Sequence, residues 1–444
     1  MPPQRPGEPR SGESTRRTVQ VRDFKGMNAT DARTAIDDTE FAWLENAMPI
    51  GKGKIKILPS QGVPIYTDAS VGIANLFGVV FKNVPQLVVI RNDGSVKAVD
   101  LAGNVTAVAN AASVTSSVDV SLWQGNVLLF EDPTKGYLSW DGTTFTVIDN
   151  TRLGTSIAVF GGRAWLGNVR TLQYTDAGSY TSFAGAGGSA VITDEAFPGN
   201  IVRLISALEQ LWILGGGAVN AISNVSINSL GATVFSNTNI VTGIGTQNRQ
   251  SVIAFFRALA FMSQSGVYGL VGVTPQKLSD KLDGLFPDLV LTPDTPAALA
   301  TVYQLPVLCM LCTYNDPLRG PRPLLLCVSQ GKTFVASQGN LKALTCLTVG
   351  SSFQAWGTDG TTIYPLFSNP NVPTTYRIQA KLFDFGSMVR TKDTFRVMLE
   401  YETANIVAPQ LTMETESGTQ SVTLNMGNAV QWANIQGQTV PFVS

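Results

Sequence analysis

A repeated beat governs this sequence: a short apolar run, a tight turn, then a second short run. Seven copies begin at Leu87 (LVVIRNDGSVKAV), Val127 (VLLFEDPTKGYLSW), Ala164 (AWLGNVRTLQY), Leu211 (LWILGGGAVNAI), Ala260 (AFMSQSGVYGL), Leu324 (LLLCVSQGKTFV) and Ala355 (AWGTDGTTIYPLF). Their starts lie 31 to 64 residues apart, a spacing that brackets the roughly 40–50 residues of a four-stranded propeller blade. One hairpin is only marginally stable in water, so the copies must bury their faces against one another. The expected fold is all-β: an irregular β-propeller of six or seven blades, with an N-terminal extended and short-helix block and a C-terminal β domain.

The rest of the chain divides around that beat. Residues 1–18 are rich in Pro, Arg, Ser and Gly and are expected to form a flexible tail. Residues 19–71 read as a docking block. Within it, Asp37-Asp38-Thr39-Glu40 has the form of a capping box and predicts a short helix with Phe41, Leu44 and Met48 on one side, ended by Pro49. Strand resumes after Gly51 and Gly53, at Ile55 and Ile57. The beat fills 72–369, where Asn92-Asp93-Gly94, Asp141-Gly142 and Asp359-Gly360 supply hairpin turns. From 370 to 444, period-two alternation through Tyr376, Ile378, Ala380 and Leu382, and again through Phe395, Val397, Leu399 and Tyr401, predicts a sandwich-like β domain with a hairpin at Ser417-Gly418.

The chain has no histidine. That removes the commonest general base, the commonest zinc ligand and every Ser-His-Asp or Cys-His arrangement. Glycoside hydrolysis needs only two carboxylates, and Asp194 with Glu195 or Asp280 with Asp283 are the loop acids that could supply them. Acids so close in sequence more often sit in a solvated loop. Gly51-Lys52-Gly53-Lys54 lacks the GxxxxGK[ST] frame of a phosphate loop, and Gly215-Gly216-Gly217 falls inside a beat. The TDGTT stretch, Thr358 to Thr362, reads as an Asp-Gly hairpin. Cys309 and Cys312 have CxxC spacing, but their odd separation in the strand-like run VLCMLC puts the thiols on opposite faces, and no second CxxC follows. They read as core thiols, as do Cys327 and Cys346. No catalytic, cofactor-binding or metal site is expected, and no cofactor.

Charged residues make up 14% of the 444, against roughly 25% in an average soluble protein. A surface so poor in charge suits burial in an assembly, where each unpaired buried ion is costly. With a formal net charge of −1 there is no general attraction to nucleic acid or to an anionic membrane. The N-terminus has no apolar core of signal-peptide length, and the apolar stretch Ala298 to Cys312 is broken by Gln304 and Pro306, so no membrane anchor is expected.

The block Phe24-Lys25-Gly26-Met27-Asn28, the acidic segment after it, Trp43-Leu44-Glu45-Asn46-Ala47 and then Gly51 to Gly62 resembles the opening of podovirus tail proteins. In that family an F-x-G-G-x-N type segment precedes a short helix ending in Asn, a Gly-rich strand pair and an R-x-G type turn. Here Met27 follows a single Gly, and Leu58 to Gly62 holds no Arg. The whole-chain order is similar to that of the tail nozzle, or tail tubular, proteins of short-tailed bacteriophages. The resemblance implies a structural, non-enzymatic virion protein of the tail, synthesised in the host cytoplasm. It implies a homo-oligomer, a hexameric ring beneath portal and adaptor, that contacts the tail adaptor, carries fibres or spikes, and touches duplex DNA weakly and transiently during ejection. The alternative is a propeller-based glycan-binding or glycan-cleaving tail protein. A WD-repeat scaffold is disfavoured, because its Gly-His signature cannot exist without His and Trp140-Asp141 is the sole Trp-Asp pair. The residues expected to matter are structural anchors: Phe24, Asn28, Phe41, Trp43 and Leu44 in the N-terminal block, and Trp123, Trp165, Trp212 and Phe261 between blades.

Overall fold

The computed structural model describes residues 23–108, 113–255, 257–292, 294–372 and 374–383, together with the strand backbones of 392–401, 410–415, 418–423 and 431–440. Each beat folds as an antiparallel meander, because its apolar runs are strand-length and its turns are built from residues that accept positive φ. Blade 1 comprises Ile73–Phe81, Val84–Arg91, Val96–Asp100 and Val105–Ala107; blade 2, Asp119–Trp123, Val127–Asp132, Gly136–Trp140 and Phe145–Asp149. Blade 3 comprises Ser156–Phe160, Arg163–Asn168, Thr171–Tyr174 and Gly188–Val191; blade 4, Ile201–Ala207, Gln210–Gly215, Ala218–Ile227 and Thr233–Thr242. Blade 5 comprises Ile253–Phe255, Ala258–Ser263, Gly266–Val271 and Thr274–Lys277.

An eight-stranded sheet follows in the chain. Its meander is Ala297–Val302, Leu305–Asp316, Gly320–Ser329 and Lys332–Ala336, and it also takes in Gly26–Met27, Glu40–Glu45, Leu289–Val290 and Arg377–Ala380. Blade 6 is Ala343–Val349, Ser352–Thr358 and Thr362–Pro365, completed by Tyr66–Thr67 from the other end of the chain. The described residues of this part of the chain thus form six four-stranded blades, one enlarged sheet and the short pair Ala47–Gly51 with Lys54–Ile57. The beat at Leu324 marks the third strand of the enlarged sheet's meander; in blades 1 to 5 the beat marks the second.

Strand period explains the closure. Successive side chains point to opposite faces, so each second strand feeds two neighbours. Val88 and Ile90 of blade 1 join Leu128 and Phe130 of blade 2, while Leu129 of blade 2 joins Ala164 and Leu166 of blade 3. Trp165 meets Leu211 and Ile213 of blade 4, and Trp212 and Leu214 meet Leu259 and Phe261 of blade 5. Ala260 and Met262 pack with Leu299 and Leu308 of the large sheet, which also covers Leu344 and Ala355 of blade 6. Leu347 and Trp356 then meet Leu87 and Val89 of blade 1. The seams run in a complete circle.

The short helix expected after Asp37 does not form: Glu40–Glu45 and Ala47–Gly51 are strands. The box contacts exist, with the Asp37 amide donating to Glu40 Oε2 at 3.3 Å and the Thr39 amide to Asp37 Oδ1 at 2.9 Å, but they close a turn. Pairing decides the outcome, since Glu40–Glu45 lies parallel to Gly26–Met27 and antiparallel to Arg377–Ala380. The expected docking block is therefore woven into the wheel. The boundary expected at 370 also moves, because Arg377–Ala380 belongs to this unit, Val21–Lys381.

The described strands of the second unit form two antiparallel pairs. Lys392–Tyr401 pairs with Gln431–Val440, and Gln410–Thr415 with Gly418–Thr423. The flexible tail expected for residues 1–18 lies outside the described residues.

Trp165 is fully buried in the seam between blades 3 and 4. Trp165→Ala is expected to lower unfolding free energy by about 3–5 kcal/mol in a denaturant titration, whereas Leu230→Ala, at a site 89% exposed, should change it by less than about 0.5 kcal/mol.

Candidate functional site

The described residues with the most unusual chemistry meet at the hub, where the chain enters the innermost strands. Arg249 lies in the short 3-10 turn Arg249–Ser251 that leads into blade 5. Its guanidinium donates to the carbonyl oxygens of Ser117 and Thr155, at the entrances to blades 2 and 3, and to Asp294 Oδ1 at 2.8 Å, ahead of the large sheet. Blade 5 neighbours blade 4 and the large sheet, so these bonds tie it to segments ahead of two blades, 2 and 3, that it does not adjoin. Beside it, Asp119 Oδ2 accepts from Ser156 Oγ at 2.7 Å and from the Ile157 amide at 2.9 Å, and Asp119 Oδ1 pairs with Arg203 of blade 4. Ser156 Oγ in turn accepts from the Leu204 amide at 2.9 Å. These polar contacts thus tie the entrances of blades 2, 3, 4 and 5 and of the large sheet to one another.

Glu131, register partner of Asp119, is fully buried, and no side chain hydrogen-bonds to its carboxyl. Burial pushes its pKa well above the ordinary 4.5; the nearby charges of Asp119 and Asp132 add to the push, while the Gly154 amide and Arg152 oppose it. A Cβ at Gly154 would collide with Glu131 Oε1, so that glycine lets the backbone seal the carboxyl from water. Burial thus disfavours its charged form.

The N-terminal anchors form a second polar lattice. Asn28, buried, donates from Nδ2 to Glu40 Oε2 at 2.7 Å and to Asp31 Oδ2 at 2.9 Å, and Lys281 reaches Glu40 Oε1 at 3.3 Å. Phe24 and Phe41 are in ring contact at 5.3 Å. Trp43 donates from Nε1 to Glu45 Oε2 at 2.9 Å and packs on Tyr314 at 5.4 Å. Arg322 holds Glu45 with two bonds, 2.6 and 3.0 Å, and Asp316 with a third at 3.1 Å. Leu44 is buried beneath them in the core of the large sheet.

Trp123 lies in the seam between blades 2 and 3, and Trp212 and Phe261 face each other across that between blades 4 and 5. Trp165 and Trp212 repeat one device: each indole Nε1 donates to a carbonyl five residues back, Phe160 at 3.0 Å and Ala207 at 2.9 Å.

Of the acids singled out as possible catalytic pairs, Asp194 with Glu195 and Asp280 with Asp283, one of each pair is engaged locally. Asp283 pairs with Lys277 at 2.6 Å, and Asp194 Oδ1 accepts from the Ala196 amide at 2.9 Å. TDGTT is a hairpin turn in which Asp359 Oδ1 accepts from the Thr361 and Thr362 amides at 2.8 Å. The matching turn at Asp141 uses the Thr143 and Thr144 amides, and these bonds, that of Thr144 first, hold its pKa down at about 2. Among the described residues, no group of three or more Cys, Asp or Glu is placed to hold a metal ion, and no helix is long and apolar enough to cross a membrane.

A shallow depression of about 500 Å³ lies between the N-terminal segment and blade 6; Asn46, Gln61, Gln338 and Asn369 are among its lining residues, and none of them is ionisable. Two of its amides serve as clasps. Asn46 donates to the Thr375 carbonyl at 2.7 Å and accepts from the Ser337 amide at 2.8 Å; Gln338 donates to the Pro59 carbonyl at 3.0 Å and accepts from the Phe367 amide at 3.2 Å.

Sequence reasoning missed Arg249, Arg203, Asp119 and Glu131. Each stands in or beside a strand-like run, and the side-chain partners of the first three belong to other parts of the wheel, so no local spacing marks them. The available signal was weak: a charged residue directly preceding or ending an apolar run of a beat.

Glu131→Gln tests the buried acid. The native state keeps its proton above the unfolded-state pKa, so stability is greatest below about 4.5 and is lost as pH rises toward the native value. The variant should lose that slope and be more stable than the parent at neutral pH, read from denaturant midpoints across pH 4 to 8. Arg249→Ala strands two carbonyls and should cost about 1–3 kcal/mol by the same measurement.

No family model and no curated protein matches the chain. Solved structures that it resembles include the WD40 repeats of RRP9, at 14% identity over 70% of this chain and 99% of that one, with a TM-score of 0.42. Another is U3-55K, at 11% identity over 68% of this chain and 100% of that one, with a TM-score of 0.40. The extracellular domain of BT4673 from B. thetaiotaomicron is matched at 11% identity over 68% of this chain, with a TM-score of 0.45; this chain spans 39% of its length. The all-β propeller is given by the chain's own sheets.

Proposed function

We propose that the chain is a structural subunit of a virion tail, one copy in a closed ring that forms a conduit below portal and adaptor. The observation that carries the reading is the construction of the tail-protein-like segment. Residues 24–62 are held by Asn28, Glu45 and Arg322 against the large sheet, and the strand that follows completes blade 6. The segment acts as a fastener, which suits a part that bears load.

The hub supports the same reading from another side. Arg249 fastens the segments entering blade 2 and the large sheet to blade 5, and in this reading the genome passes between neighbouring copies and not through any one of them. A wall with a formal net charge of −1 per chain grips phosphates weakly, which lets a duplex slide. The glycan-cleaving alternative needs two free carboxylates at a channel mouth, and the acids proposed for that role include two, Asp194 and Asp283, that are engaged in a turn and an ion pair.

Purified full-length protein is expected to form closed six-membered rings in electron micrographs and by mass photometry, alone or with its adaptor. It should not retain duplex DNA in a shift assay at about 0.15 M salt. Immunogold label on the head instead of the tail, or new reducing ends released from host polysaccharide, would overturn the reading.

A further inference from the structure

The four cysteines sit in the large sheet and its neighbour: Cys309 and Cys312 on Leu305–Asp316, Cys327 on Gly320–Ser329, and Cys346 on Ala343–Val349. Cys309 and Cys327 are direct cross-strand partners. Both are fully buried, and their sulfurs stand 3.8 Å apart.

Two prolines reveal which kind of cross-strand position they occupy. Pro323 faces Thr313 and Pro321 faces Asn315. Proline has no N–H to give to a ladder, so these are non-hydrogen-bonded positions. The two kinds of position alternate along an antiparallel pair. Stepping by twos from Thr313 through Leu311, which faces Leu325, reaches Cys309 facing Cys327.

The other flank of the strand gives the same answer. Gln330 and Gly331, with φ of 50° and 73°, form the two-residue turn that closes Ser329 onto Lys332. A pair closing such a turn is hydrogen-bonded. By parity, the backbone groups of Cys327 point toward Lys332–Ala336 and away from Cys309. Non-hydrogen-bonded partners have Cα atoms about 4.5 Å apart, within the span of about 4.4–6.8 Å over which a disulfide closes.

We propose that Cys309 and Cys327 are a latent cross-strand disulfide, open in a reducing cytosol and closed by exchange with a small-molecule disulfide of the glutathione type once the protein meets an oxidising medium. One protein thiolate attacks the small disulfide and releases one thiolate from it. The second protein thiolate attacks the protein sulfur of that mixed disulfide and releases the other. The two protein thiols give up two electrons and two protons, and the oxidant becomes two thiols.

Neither remaining cysteine is a cross-strand partner of Cys309 or Cys327. Cys312 is on the opposite face of the strand from Cys309, its sulfur donating to the Leu324 carbonyl at 3.3 Å, and Cys346 belongs to blade 6. Burial holds the Cys327 thiol well above the ordinary thiol range, with its contact to Cys309 adding to the effect. Exchange therefore proceeds through transient opening of the sheet, and the bond locks the Leu305–Ser329 hairpin once it has formed.

The test uses the folded full-length chain, incubated with glutathione disulfide with and without sub-denaturing urea, alkylated, and digested without reductant. The expected product is one intramolecular linkage, Cys309 to Cys327, with Cys312 and Cys346 both alkylated. It should form faster in urea and raise the melting temperature in a way that reductant reverses. Cys327→Ala should abolish it. Four alkylated cysteines under the urea condition, a bond from Cys309 to Cys346 or Cys312, or a bridge between two copies would overturn the proposal.

Discussion

The wheel depends on burying both faces of each blade's second strand. A face covered on one side only would leave alternate residues in water, and a lone hairpin has nothing with which to cover the other. In blade 4, Leu211 and Ile213 turn to blade 3, and Trp212 and Leu214 to blade 5. Full burial of such a side chain contributes about 1.5–3 kcal/mol, so most of the stabilisation lies in the seams and little of it inside any one blade. The circle is the arrangement in which every seam has two walls.

Apolar seams tolerate sliding; polar ties do not. The lattice through Asp119, Ser156, Arg203 and Arg249 joins strand entrances that lie far apart in the chain, and Arg322 with Glu45 ties the N-terminal segment to the large sheet. A buried polar group left without its partner costs more than a lost apolar contact, so such networks favour one arrangement over its near neighbours. Glu131 stands apart in this respect: its carboxyl has no side-chain hydrogen-bond partner and is buried against the Gly154 backbone, which disfavours its charged form.

How much of this was legible in the sequence follows from how local each signal is. The beat was legible because strand, turn and strand lie within a dozen residues, and the four aromatics assigned to the space between blades lie in inter-blade clusters. The stretch from Glu40 to Gly51 was not legible as strand. Its capping contacts and apolar spacing satisfy a helix equally well; the strand state of Glu40–Glu45 rests on Gly26–Met27 and on Arg377–Ala380, more than 300 residues away, and that of Ala47–Gly51 on Lys54–Ile57. The enlarged sheet was misphased for a related reason, since the run VLCMLC is apolar throughout and the beat was heard one strand late. The hub was illegible altogether, because Arg249 has partners in three other parts of the chain, each an ordinary Ser, Thr or Asp in its own neighbourhood.

The strand Tyr66–Thr67 lies at the edge of blade 6, with Thr67 facing Thr362, roughly 300 residues later. A nascent chain emerging from the ribosome would expose that strand early and hold it unmatched until nearly the whole propeller had been made. Blades 1 to 5 can stack in order as they appear, but the rim cannot be sewn shut before its far end arrives. Truncated translation products would therefore display an open stack with a sticky margin, and quality control acting on that margin would distinguish finished wheels from abandoned ones.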